Sequence, residues 1–350
     1  MGTHAQRLTI VGDIGVDLVL GPLSAWPRVG TETILEQSEL RAGGSAGNAA
    51  LAVSYLGGAS RLLSGVGNDD LGSWLSGQFH EMGASLEVCD AATTLTVGLI
   101  HTCGERTFFT TRGHLERLSY ELLRPRLTPA PHPNSIALLS GVFLTPTLRD
   151  EYPRLLRDLN ALGYQVALDT NWPPQNWSAG LRTEVATWLS HCEHVLLNEI
   201  EVASLVDSQD LTVAIDRLTP MLKPGATLVV KTGSRGAIGI QGGRRFDCAA
   251  PVATAIFDTI GAGDSFNAGY LLARLDGCDL ADSLAAGCNT ASTIIARFPR
   301  RSIERGELAG QLARLRPQAV GATHASHGLA AEDNPGPTMS GQLPAQVEET

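Results

Sequence analysis

Between Leu8 and Ile295 the chain repeatedly sets a short apolar run against a longer stretch of helical period, and this alternation restricts the fold more than any other feature. The runs LTIVGD (8–13), SIALLSG (135–141), YQVALD (164–169), HVLLN (194–198) and TLVVK (227–231) predict central strands buried in a largely parallel sheet. Helices are expected at about 45–57, 69–83, 147–162, 198–206, 210–222, 262–276 and 279–296. The class is therefore α/β, a mainly parallel sheet covered by helices.

Two segments break the rhythm. Residues 14–41 and 95–112 alternate apolar and polar side chains between turn signals, which predicts a small antiparallel sheet apart from the main one. Placed beside the main sheet, it would form a flap able to close over a ligand. From Pro317 to Thr350 the chain turns poor in aromatics and rich in Pro, Gly, Ala and acidic residues, so residues 1–316 are expected to form the domain and 317–350 a disordered tail.

Charge narrows the partners. The formal net charge is −10 and the only lysines are Lys223 and Lys231, which argues against a nucleic-acid or anionic-membrane surface. An anionic ligand would need local help from backbone N–H groups, a few arginines or a metal. The six cysteines are scattered without CxxC spacing and read as reduced thiols. No apolar run approaches the roughly 18 residues of a membrane span, and the N-terminus lacks a signal-peptide core, so a cytoplasmic location is expected.

The stretch DTIGAGDSFNAGY (258–270) puts three small residues, Gly261, Ala262 and Gly263, directly before Asp264 at a predicted helix start. Amides of a first helical turn lack intrahelical acceptors, and small side chains leave them uncovered, so the tip is an anion seat suited to a phosphoryl group. An aspartate there, its ionised form favoured by the helix end, makes sense as the base that orients and deprotonates an attacking hydroxyl. Plain acidic capping with glycines needed for packing would leave the same letters. No GxxxxGK[ST] is present and no GxGxxG follows a predicted strand, so a nucleotide would be held by other means.

Together the motifs resemble the PfkB, or ribokinase-like, carbohydrate kinases. DTIGAGD resembles that family's C-terminal signature, AGGSAGNAALAVSYLGG (42–58) with SGVGNDDLG (64–72) its N-terminal one, NEIE (198–201) its N-x-x-E motif, and KTGSRGA (231–237) its nucleotide loop. The resemblance implies a three-layer α/β sandwich with a β-sheet lid, and ATP-dependent phosphorylation of a hydroxyl on a sugar or sugar-like substrate. Asp264 falls on the catalytic base and Gly261, Ala262 and Gly263 on the anion hole. Sugar contacts carry over to Asp17, Gly43, Gly44 and Asn48, with Asp13 nearby. Nucleotide contacts carry over to Asn198, Lys231, Gly233, Ser234, Gly236 and Asn289. Asn198 and Glu201 would help hold Mg2+, largely through water. Asp258 matches one ligand of the monovalent cation, K+, that some members bind beside the anion hole. Lid strands with an apolar outer face suggest a homodimer.

Departures from the pattern matter too. Phe143 stands about where ribokinases carry a sugar-binding glutamate, which weakens the case for ribose. ALDTNW (167–172) resembles the D-x-N motif of fructokinase-like and ketodeoxygluconate kinase-like members, which places Asp169 and Asn171 beside phosphates or substrate. Arg106, Arg112 and His114 read as exposed lid charges. A nucleoside kinase of the same fold, served by Trp26, Phe108 and Phe109, and a silent sugar-binding regulator are the competing readings.

Overall fold

The computed structural model describes residues 7–310 apart from 103, 254 and 255, and the described residues belong to one compact unit. The expectation of a disordered tail at 317–350 lies outside the described residues. The chain opens with β1 (Leu8–Gly12), leaves the main sheet for β2 (Gly15–Leu23) and β3 (Gln37–Gly43), and returns through α1 (Ser45–Tyr55), β4 (Ser60–Gly67), α2 (Asp70–Gln78) and β5 (Ser85–Cys89). A second excursion makes β6 (Leu95–His101) and β7 (Arg106–Thr110), followed by the short helix α3 (Tyr120–Leu123). The alternation then resumes with β8 (Ile136–Ser140), α4 (Pro146–Asp150), α5 (Tyr152–Ala161), β9 (Gln165–Asp169), α6 (Ala179–Leu189), β10 (His194–Asn198), α7 (Glu199–Leu205), α8 (Leu211–Leu218) and β11 (Thr227–Lys231). A meander of β12 (Ala237–Gln241) and β13 (Arg244–Cys248) precedes α9 (Ala262–Leu275) and α10 (Leu280–Ile295).

The main sheet runs β13-β12-β11-β10-β9-β8-β1-β4-β5, parallel except where β12 pairs with β11 and β13. Its central strands bury both faces, and the period of two sorts them. Leu8 and Ile10 of β1 and Leu196 of β10 pack into one core with α1, α9 and α10, while Val11, Val195 and Leu197 pack into the other with α5 and α6. This is the helix–sheet–helix architecture the apolar runs foretold. Strands β4, β5, β12 and β13 and helix α6 escape a reading based on long apolar runs, because Ser60, Ser64 and Gly65 interrupt β4 and the edge strands carry Glu87, Arg244, Arg245 and Asp247.

The separate small sheet is present, in the order β3-β2-β6-β7, and its strands fall within the expected 14–41 and 95–112 apart from the two residues at the end of β3. It is not purely antiparallel: β2 pairs with β6 in parallel. The reason is topological. These two strands come from separate excursions joined through α1, β4, α2 and β5, a crossover long enough for a parallel pair. Among the described residues no helix is long and apolar enough to cross a membrane.

Candidate active site

In an open parallel sheet the polar residues that can meet a ligand gather at the carboxyl ends of the strands. Here β1 delivers Asp13, β9 delivers Asp169, β10 delivers Asn198 and β11 delivers Lys231 to that edge, where Asn198 and Lys231 are register partners. The N-terminal turns of α1 and α9 reach the same edge, and a hydrogen bond joins them: Asn48 Nδ2 donates to Asp264 Oδ2 at 3.0 Å.

Gly261 caps α9 with φ 73° and ψ 12°, and a Cβ built there would fall 2.9 Å from Asn48 Nδ2, so both conformation and space select glycine. The turn does not present all three expected amides. Ala262 N–H folds back onto the Thr259 carbonyl at 3.2 Å, and the first intrahelical bond runs from Ser265 N–H to the Gly261 carbonyl at 2.9 Å. The amides of Gly263 and Asp264 therefore precede the first intrahelical donor, Ser265 N–H, and with Gly261 they make up the seat. Residues 261–263 are half-buried and Asp264 is 7% exposed, so the tip borders solvent while its carboxylate is nearly dry.

The helix end does not keep Asp264 in the ordinary carboxylate range. Burial, and then the charge of Asp169, push its pKa well up, against Lys231 and the Asn48 hydrogen bond. The favourable helix-end contribution, roughly 0.3–1 kcal/mol at an exposed site, is smaller than the desolvation of a buried carboxylate. A raised pKa makes Asp264 a better proton acceptor once ionised.

Lys231, at the end of β11, is tied into the site. Its side chain is 12% exposed, and Nζ donates to Asp169 Oδ2 at 2.6 Å and to Asn267 Oδ1 at 3.4 Å. A Cβ added to Gly263 would lie 3.4 Å from Nζ, which puts the ammonium directly behind the helix tip. Asn198, half-buried, and Glu201, 3% exposed, are bonded to each other. They form a capping box, with Glu201 N–H on Asn198 Oδ1 and Asn198 N–H on Glu201 Oε2, both at 2.8 Å. Burial raises the Glu201 pKa to about 7.

At the opposite rim Asp17 is 8% exposed and lies against Gly43, where a Cβ would come within 2.1 Å of Oδ2. Oδ1 of its neighbour Asp13 accepts the N–H groups of Ser45 and Ala46 at 2.9 and 3.2 Å and so caps α1, whose N-cap is Gly44. Burial lifts Asp13 to about 6 and, opposed by Arg41, Asp17 to about 7 from a usual 3.8. At these two groups the folded chain binds more protons than the unfolded one, so their contribution to stability is full below about pH 4 and is lost as pH rises through 6–7. The expected result is a urea midpoint that declines from pH 5 to 8, with Asp17→Asn gaining about 1–3 kcal/mol at pH 8 and flattening the decline. A midpoint insensitive to pH in both proteins would contradict the burial of this charge.

Two further expectations are corrected and a third holds. His114 is a buried neutral strut, with Nδ1 accepting Thr94 N–H at 2.9 Å, Nε2 donating to the Ile14 carbonyl at 3.1 Å, and burial lowering its pKa to about 4. Arg106 and Arg112 are both exposed, as the sequence suggested, and Arg106 Nη1 donates to Thr259 Oγ1 at 2.6 Å. Asp258 does not present a carboxylate to a cation in solution: Oδ2 lies 2.6 Å from the Arg41 guanidinium and Oδ1 accepts Ile260 N–H at 2.7 Å.

A sequence model of the pfkB family of carbohydrate kinases matches residues 5–302. The chain belongs to that family. Relatives include 2-dehydro-3-deoxygluconokinase of Escherichia coli K12, 29% identical over 175 residues that cover 47% of this chain and 57% of that one, and its counterpart in Dickeya dadantii, 28% identical and covering 67% and 79%. The chain thus spans little more than half the length of the first of these. Among solved structures, Arabidopsis thaliana ribokinase complexed with ribose and ATP aligns with a TM-score of 0.69 at 19% identity, covering 90% of this chain and all of that one.

In this PfkB family chain the turn after β11, Gly233–Arg235, is exposed at Gly233 and Ser234 and closes at Gly236. Asn289 on α10 is half-buried and its Nδ2 bonds the Ala285 carbonyl at 2.8 Å, so its amide is tied to its own helix. Reading by motif missed Asn267, which donates to Asp169 and is fully buried. The signal was its spacing, three residues after Asp264 and hence on the same helix face. It also missed the buried charges Glu39, Arg41 and Arg300, which no motif contains.

Proposed function

We propose that the chain transfers the terminal phosphoryl group of ATP to a hydroxyl of a sugar or sugar-like substrate, with Asp264 as base. The observation that carries this reading is the pairing of a nearly dry carboxylate of raised proton affinity with uncapped amides on one helix tip, backed by the Lys231 ammonium. The hydroxyl oxygen attacks the γ-phosphorus, its proton passes to Asp264, and the bond to the bridging oxygen breaks to release ADP. The amides of Gly261 and Gly263 meet the negative charge on the transferred group, each worth about 3–4 kcal/mol in a dry site. Asp17 and the Gly43 backbone line the sugar side, and Asn48, through its bond to Asp264, aims the base.

Mg2+ fits as an ion carried by the nucleotide. No cluster of three ligating side chains exists among the described residues, and Asn198 Oδ1 is held in its capping box, so Glu201 would meet the ion through water. Bound there, the ion would neutralise phosphate charge. The lid of β2, β3, β6 and β7 would exclude water and suppress hydrolysis of ATP.

The test is a coupled ADP assay with 2-dehydro-3-deoxygluconate, fructose, ribose and adenosine as acceptors. The relatives put 2-dehydro-3-deoxygluconate first. Turnover of a sugar or sugar acid supports the reading; turnover of adenosine alone assigns a nucleoside kinase; binding of sugar without ADP release assigns a regulator.

A further inference from the structure

The turn Asp258-Thr259-Ile260 leading into the anion seat is gripped from behind by one side chain. Arg300 is 6% exposed, and its two terminal nitrogens donate to the main-chain carbonyls of Asp258 and Ile260, with Nη2 also 3.4 Å from Asp258 Oδ2. Asp258 in turn pairs with Arg41, Arg41 with Glu39 at 3.2 Å, and Glu39 Oε1 accepts Arg301 N–H at 2.9 Å. All four charged side chains are almost wholly buried. Replacing such a network by apolar groups is often neutral or stabilising, so stability alone gives no reason for it.

Geometry supplies one. In a planar trans peptide the C=O and N–H point in opposite directions. A guanidinium that fixes the Ile260 carbonyl therefore aims the Gly261 N–H away from Arg300, toward the outer side of the helix tip. It also places a permanent positive charge behind the seat; burial and Arg41 lower its pKa only to about 10, so it remains protonated at neutral pH. The same contacts occupy the Asp258 carboxylate, matched above to a monovalent-cation ligand, and the two main-chain carbonyls beside it: two carbonyls face one guanidinium, and the carboxylate faces two. A K+ ion does not fit beside them.

We infer that Arg300 is a positioning residue of the phosphoryl-transfer site, a tethered cation that orients the Gly261 amide and makes the enzyme independent of K+. This rests on the kinase reading above. If no acceptor in the panel is phosphorylated, that reading fails first, whereas the thermal measurement below needs no substrate and tests Arg300 by itself.

Two comparisons decide the matter, KCl against tetramethylammonium chloride at equal ionic strength, for wild type and for Arg300→Ala. Wild type should show the same melting temperature and a kcat equal within about twofold in both salts, whereas Arg300→Ala should melt higher in KCl, because an ion that binds only the folded state stabilises it. In that variant kcat should fall by about 10²-fold with KM for the sugar little changed, the size of effect seen when one oxyanion donor is lost. Added K+ or guanidinium chloride should restore part of it. A tenfold or greater stimulation of wild type by K+ overturns the inference, as does an Arg300→Ala enzyme with full kcat, or one whose loss neither cation relieves. Should Arg300→Ala not fold, the wild-type salt comparison still decides, and Arg300→Lys, which keeps one charge but loses the second carbonyl contact, should sit between the two in kcat.

Discussion

Asp264→Asn is expected to lower kcat by about 10²–10⁴-fold, the range for removing a general base, while the KM for sugar should change little. The substitution is nearly isosteric, and the new side-chain oxygen can still accept from Asn48 Nδ2, so the link between α1 and α9 survives. On the proposed function, what should disappear is the ability to take a proton from the attacking hydroxyl. The pH profile separates this from a packing defect. Burial and Asp169 hold the Asp264 pKa well above the usual carboxylate range, so wild-type turnover should rise with pH along a limb displaced to higher pH than an ordinary aspartate would give. The asparagine variant should lack that limb. Its stability at pH 8 should be equal to or above that of wild type, since an unfavourable buried charge has been removed. Equal turnover by the two proteins would remove Asp264 from the reaction.

The fold was legible because burial on both faces forces long apolar runs on central strands. The five such runs of this chain became β1, β8, β9, β10 and β11. Strands whose faces are partly wet, such as β13 with Arg244, Arg245 and Asp247, carry no such mark. At the site, Asp264 and the glycines before it were visible because a backbone that must sit at φ 73° and approach Asn48 closely tolerates few residues. What the sequence hid was the set of partners. Asp169 and Lys231 are 62 residues apart, and Asp258 and Arg300 are 42 apart, so their pairing follows from strand order and from the path of the chain after α10. A capping box explains Asn198 and Glu201 as fully as a metal does, and spacing alone cannot separate two roles that one geometry can serve.

Lys231→Met is expected to be the most destabilising single change at the site. Burial by itself would lower the proton affinity of the ammonium, but Asp169 and then Glu201 overrule it and raise the Lys231 pKa, so the group is held as a cation among acids. Methionine fills much of the same volume, so the loss is chiefly electrostatic: Asp169, 1% exposed, is left without its ion pair. Breaking a buried pair from one side costs about 3–5 kcal/mol. Part of that cost can be relieved by proton uptake on Glu201 and Asp264, whose pKa values already lie high, and removal of a nearby cation pushes both higher. The sign follows: Lys231→Met should lose less stability at pH 6 than at pH 8. Adding Asp169→Asn to the same chain removes the orphaned charge and should recover most of the loss, because the double change replaces an ion pair by neutral groups that Asn267 can still bond. Urea midpoints of the two single variants and the double variant at both pH values measure this coupling. A Lys231→Met loss below about 1 kcal/mol, equal at the two pH values, would mean that solvent reaches the ammonium and that the site behind the helix tip is wet.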